Sequence, residues 1–177
     1  MTPRPPAEIA AQLQQAMAFH QRGQLAEAEQ FYQAILHQHP LHFDALQLRG
    51  VIANQRGQFG EAARLIGQAL ALNANHAPAQ YNRGLALLAL KQPEEALKHF
   101  DKAIALRPQY AEALANRGNA LLELKRRDEA LASYDRAIAL KPDYAEGWKN
   151  RAVALLLLQR IDEALVAFDK ATSLAPR

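Results

Sequence analysis

The chain has 177 residues, half of them hydrophobic and only 7% aromatic, with a net charge of +3. That length is a prior for one domain, and Ala and Leu mixed with Glu, Lys, Arg and Gln is the composition of close-packed helices. The absence of Cys excludes disulfides and Cys-based zinc or redox chemistry.

Charge is interleaved: residues 1–76 hold five groups of each sign, and residues 77–177 hold sixteen basic and thirteen acidic ones. No stretch reads as a nucleic-acid or membrane patch. The opening MTPRPPAEIAAQLQQ has no apolar segment of the kind a signal peptide needs. The longest aliphatic run, Ala152 to Leu158, is far short of a membrane span. A cytoplasmic location is the expectation.

Residues 1–8 are expected to form an N-terminal extension. From Ile9 onward one pattern returns every 34 residues, giving units 9–42, 43–76, 77–110, 111–144 and 145–177. Glu-Ala recurs at 27–28, 61–62, 95–96, 129–130 and 163–164. A large residue stands four places after each Ala: Tyr32, Ile66, Phe100, Tyr134 and Phe168. Ala16, Gly50, Gly84, Gly118 and Ala152 are small where two helix backbones come closest. Pro40, Pro108, Pro142 and Pro176 close four of the units.

The fourth unit shows how each divides into two helices. Leu114, Gly118, Leu121 and Leu122 make one apolar stripe over 111–124. Residues 125–127 interrupt it, and Asp128 is the expected N-cap of a second helix that turns Ala130, Leu131, Tyr134, Ala137 and Ile138 inward. Lys141 suits that helix's C-terminal dipole, and Pro142 prevents its continuation.

The spacing of small residue, Ala, large residue, Ala and Pro in a 34-residue helix–turn–helix resembles the tetratricopeptide repeat. One departure is the first bulky position, which is Trp only at Trp148 and is Gln12, Leu46, Gln80 and Leu114 elsewhere. The resemblance implies an all-α α-solenoid of five tandem repeats in a right-handed superhelix. A groove in it would be lined by the first helices.

Little points to chemistry. His37, His39 and His42 lie close together, but at a helix end and without acidic or Cys partners, so no metal site is expected. Ser133 and Ser173 lack the context of a nucleophile, and no phosphate-binding Gly-rich loop exists. The chain is read as non-enzymatic, with no cofactor. Arg49, Arg83, Arg117 and Arg151 recur in register, and Asp101, Asp135 and Asp169 are their expected ion-pair partners.

Asn82, Asn116 and Asn150 each precede one of those arginines, where the first two units have Gln14 and Leu48. Asn is a poor mid-helix residue unless its amide has a partner. The series resembles the superhelix of protein O-linked N-acetylglucosamine transferases, which implies a groove ladder contacting the main chain of a bound polypeptide. Tyr81, Leu85, Asn119, Lys149 and Val153 neighbour the ladder and are expected to add selectivity. Leu13, Gln47, Tyr81 and Ala115 stand where a carboxylate-binding repeat would need Lys. Lys149 alone fits, but Val153 follows where Asn is needed, so no preference for a free C-terminus is expected.

The function expected is a protein-interaction module that binds an extended peptide or partner segment. Two alternatives are the substrate-recruiting region of a larger enzyme, such as a glycosyltransferase, and a self-assembling scaffold. For the last, Leu165, Phe168 and Leu174 would leave apolar surface at the final helix, so a longer natural protein or a homo-oligomer is expected. Neither nucleic acid nor membrane is an expected partner.

Overall fold

The structure, a computed structural model, describes residues 6–174. Ten α-helices and no strands occur among the described residues: α1 (Pro6–Gln21), α2 (Leu25–Gln38), α3 (Phe43–Gln55), α4 (Phe59–Leu72), α5 (Ala77–Ala89), α6 (Pro93–Leu106), α7 (Ala111–Glu123), α8 (Arg127–Leu140), α9 (Ala145–Leu157) and α10 (Ile161–Leu174). No described helix is long and apolar enough to cross a membrane. They fall into two compact units, Met1–Leu90 and Lys91–Arg177.

The turn inside each helix pair has one cause. Gly23 and Gly57 adopt φ of 75° and 72°, and Lys91, Lys125 and Gln159, at the same register, adopt 61°, 61° and 60°. A left-handed residue just past a helix ends it by redirecting the chain, and glycine does so without steric cost. Second helices end differently: the backbone N–H groups of His39, Asn73, Arg107 and Lys141 bond the carbonyl four residues back, and the chain then extends. Asp128 is not the N-cap of α8. Arg126 holds that place with no side-chain bond, and Asp128 lies in the first turn. Its carboxylate there still suits the positive end of the helix dipole.

In unit 1, Tyr32, Ile35 and Ile52 pack around Ala16, Ala28 and Ala45. Ile66 and Leu70 pack with Ala53, Ala62, Ala79 and Ala86. In unit 2, Phe100, Leu114, Leu121, Tyr134 and Leu155 are fully buried. The small residues are required by distance. A Cβ on Gly118 would lie 2.5 Å from the Tyr134 ring, and one on Gly50 2.5 Å from Ile66 Cγ1.

The loops between repeats are tied by the variable bulky position. Gln80 Nε2 donates to the Ala74 carbonyl at 2.8 Å, and Trp148 Nε1 donates to the Pro142 carbonyl at 2.9 Å. Different side chains thus make the same bond six residues back. Leu46 and Leu114 have no donor to offer and are simply buried.

Candidate functional site

In unit 1 the candidate residues are on α5. Tyr81, Asn82 and Leu85 are half-buried. Asn54 of α3 donates its amide to the Asn82 backbone carbonyl at 2.8 Å, which fixes α3 against α5. Among the described residues the side-chain amide of Asn82 has no partner. Asn54 is a residue that repeat reasoning missed, because its counterparts His20, Leu88, Leu122 and Leu156 share no chemistry with it.

In unit 2 the asparagines hold one another. Asn116 Nδ2 donates to the Glu112 carbonyl at 2.9 Å, one turn back on α7. Asn119 Nδ2 donates to Asn116 Oδ1 at 3.3 Å. Asn119 Oδ1 in turn accepts from Tyr134 Oη at 2.7 Å and from Asn150 Nδ2 of α9 at 3.2 Å. Asn119, which sequence reasoning had as a neighbour of the ladder, is therefore the hub of a four-residue network. These bonds also resolve the mid-helix penalty of Asn116, whose side chain bonds back to its own helix. Asn150 keeps Oδ1 unclaimed among the described residues. Lys149 and Val153 flank it on α9, both exposed.

Residues at the position of a carboxylate-binding Lys are unsuited to that role. Gln47 and Ala115 are buried and Leu13 and Tyr81 are half-buried, which leaves Lys149 as the one exposed cation.

The arginines lie on the second-helix side. Arg117 Nε donates to Asp101 Oδ1 at 2.6 Å and its Nη1 to buried Ser133 Oγ at 2.6 Å, so α7 is knitted to α6 and α8. Arg151 Nε donates to Asp135 Oδ1 at 2.6 Å. Ion pairing with Asp101 and Asp135 is therefore the arrangement in unit 2. Asp169 makes no such pair among the described residues.

In unit 1 the equivalent acids are missing. Arg49 instead lies 3.6 Å from Glu29 and 3.8 Å from Glu61, which are themselves held by Arg56 and Arg64. The hydrogen bond from Arg64 holds the Glu61 carboxyl below its usual range. Arg83 faces Gly67, and its Nε is buried without a partner.

Two of the histidines, His42 and His76, act as helix caps. His42 Nδ1 accepts from the Ala45 N–H at 3.4 Å and His76 Nδ1 from that of Ala79 at 3.2 Å, each at the start of a first helix. Among the described residues no group of three His, Cys, Asp or Glu side chains is placed to hold a metal. Burial pushes the Tyr32 phenol up to about 12. Tyr144 is pushed up to about 12 by burial, with nearby Glu146 adding to the shift.

A family model described as tetratricopeptide repeat matches residues 77–110, 111–144 and 145–177, and a second of the same description matches 13–63. The chain belongs to the tetratricopeptide repeat family. No curated protein sequence matches it. The crystal structure of MamA superposes with a TM-score of 0.81 at 23% identity, over 90% of this chain and 93% of that one. MamA 41-end from Desulfovibrio magneticus RS-1 gives 0.85 at 20%, over 94% of each chain. YrrB, described as a TPR protein with an unusual peptide-binding site, gives 0.79 at 24%, over 93% and 85%. At these identities the likeness is one of fold. The fold class is thus the all-α solenoid of tandem tetratricopeptide repeats, a protein-interaction fold.

Proposed function

We propose that the first helices bind an extended segment of a partner protein by its main chain. The observation that carries this is the unclaimed hydrogen-bonding capacity of half-buried Asn82 and Asn150. An Asn amide offers one acceptor and two donors, which match the N–H and C=O of a peptide unit. On α9, Asn150 Nδ2 donates to Asn119 Oδ1, which leaves its Oδ1 as the acceptor a bound peptide N–H would use; Lys149 and Val153 are its exposed neighbours on that helix. Tyr81 and Leu85 flank Asn82 on α5. A tetratricopeptide neighbour with a peptide-binding site, YrrB, supports the same ligand class. From the transferase resemblance we carry over main-chain binding and leave the transferase context aside.

The reading assigns unequal roles to the asparagines. Asn82→Ala and Asn150→Ala should each weaken capture of peptides on an array of overlapping segments by roughly two- to ten-fold, the value of one hydrogen bond. Asn82→Ala should not lower the melting temperature, and Asn150→Ala, which also gives up its bond to Asn119, should cost no more than about 0.5–1.5 kcal/mol of stability. Unchanged capture by both folded variants would overturn the proposal.

A second reading, self-association, is favoured by one observation. Leu165 of α10 is 57% exposed, whereas its counterparts Leu97 and Leu131 are 8% and 7% exposed beneath the following helix. Exposed Ile161 and Leu157 extend that surface. If the wild type is monomeric by light scattering at high concentration and Leu165→Glu changes nothing, this reading fails.

A further inference from the structure

Unit 1 breaks a charge pattern that unit 2 keeps. In unit 2 each recurring arginine meets an acid of the preceding second helix, Arg117 with Asp101 and Arg151 with Asp135. The residues at that register in unit 1 are Gln33 and Gly67, so Arg49 and Arg83 have no such acid. A guanidinium does not lose its proton in a protein, so both stay charged whether or not a partner is supplied.

Arg49 opens onto a groove of about 600 Å³ that Gln30, Gln33, Ala34, Leu36 and His37 also line. It is the one Lys, Arg, Asp or Glu in that lining. Gln30, Gln33 and His37 are exposed, so the groove is reachable from solvent. Two acids of its own chain approach Arg49 without bonding it: Glu29 stands 3.6 Å away and Glu61 3.8 Å, both beyond hydrogen-bond length. Glu29 makes its short contact with Arg56, and Arg64 donates to both oxygens of Glu61 at 2.7 and 2.8 Å. Three guanidiniums thus share two carboxylates, and the group keeps one positive charge in excess.

Arg83 repeats the arrangement one repeat on. The three atoms closest to a Cβ built on Gly67 are its Cζ, Nη1 and Nη2, at 3.2, 3.4 and 3.4 Å. Its Nε is buried, but Nη1 and Nη2 make no hydrogen bond among the described residues, and Arg83 and Gly67 are both only half-buried. With no side chain at 67, the place that an Asp fills in unit 2 is left open beside the guanidinium.

The ligand that fits is a carboxylate. It reproduces the contact that the chain makes for itself in unit 2, and a dianion would be repelled more strongly by Glu29 and Glu61, each within 4 Å of Arg49. The helices α3 and α5 lie side by side, joined by the bond from Asn54 to the Asn82 carbonyl. At usual helix spacings of about 8–10 Å, an extended chain rising about 3.3 Å per residue would reach both arginines with acids about three residues apart.

We infer that this side of unit 1 binds an acidic segment of a partner polypeptide, whose carboxylates take the places of the acids missing at Gln33 and Gly67. The site uses none of the asparagines above and selects by charged side chain, where they select by main chain. The test is an NMR titration of the full chain at low ionic strength, read at the arginine Nε–H and Gln33 side-chain amide signals. The probes are a blocked Asp-Gly-Gly-Asp peptide, its Asn-Gly-Gly-Asn counterpart and inorganic phosphate. The acidic peptide should give saturable shifts at Arg49 and Arg83 that weaken as salt is raised, and should bind at least about ten-fold more tightly than the amide peptide. Gln33→Asp with Gly67→Asp supplies the acids within the chain, at a register where α6 and α8 already carry them, so this variant keeps its fold and should lose the response. Gln33→Asn with Gly67→Asn matches it in size without the charge and should still bind. Absence of saturable shifts, or equal binding by the two folded variants, would overturn the site. Phosphate binding as tightly as the acidic peptide would overturn its assignment to a polypeptide.

Discussion

Tyr32 and Tyr134 occupy the same register in different repeats, and both are fully buried, yet the same substitution should act on them with opposite sign. Tyr134 Oη donates to Asn119 Oδ1 at 2.7 Å. Tyr32 Oη has no partner, because Met17 stands where the fourth repeat has Asn119. Removing an orphaned hydroxyl relieves a desolvation penalty of about 1–3 kcal/mol, of which the small void left by the lost oxygen takes back part. Tyr32→Phe should therefore be neutral or stabilising by about 1 kcal/mol. Tyr134→Phe should cost about 0.5–1.5 kcal/mol; Asn119 Oδ1 keeps the Asn150 donor, which holds the loss to a single bond. Urea unfolding followed by circular dichroism at neutral pH measures both.

The pH dependence adds a second readout. Burial raises the folded-state pKa of Tyr32 from 10 to about 12, so the neutral phenol is the favoured form. Its contribution is complete below the unfolded value and is lost as pH rises from about 10 to about 12, by about 2–3 kcal/mol. Tyr32→Phe should flatten that part of the alkaline limb. If Tyr32→Phe destabilises as much as Tyr134→Phe, or leaves the alkaline limb unchanged, the reasoning from the orphaned hydroxyl is refuted.

Gly67→Asp places a carboxylate where Asp101 and Asp135 stand in unit 2. With the Arg83 Cζ 3.2 Å from the new Cβ and free to yield, thermal melting should show a gain of about 1–2 kcal/mol. Lys125→Gly should remove the cost of a left-handed residue at φ 61°, offset in part by greater freedom of the unfolded chain, and raise stability by up to about 1 kcal/mol in urea. Gly118→Ala drives a methyl into the Tyr134 ring and should cost about 1–3 kcal/mol, whereas Gly60→Ala meets nothing within 4 Å and should not destabilise. Equal effects at Gly118 and Gly60 in calorimetry would refute the close-approach account.

What could be read from the sequence is what repeats with a fixed period. The helix pairs, the small residues at 50 and 118, and the inward faces of Tyr134 and Ile138 follow from spacing, because a helix must bury one face and successive repeats bury the same one. The pairs Arg117–Asp101 and Arg151–Asp135 were legible for the same reason: both span 16 residues, and Arg and Asp recur in phase. Asp128 was misplaced because the short turn at Lys125 starts α8 at Arg127, two residues earlier than an Asp128 cap would require.

The long-range hydrogen bonds at Asn82 and Asn150 were decided only by the tertiary structure. Asn54 meets the Asn82 carbonyl across 28 residues and Asn150 meets Asn119 across 31, separations that match no repeat period. They depend on which rotamer each side chain takes once two first helices lie side by side. The same holds for the missing partners of Tyr32 and His39: an unpaired atom leaves no pattern in a sequence, because it is defined by what the folded neighbours fail to supply.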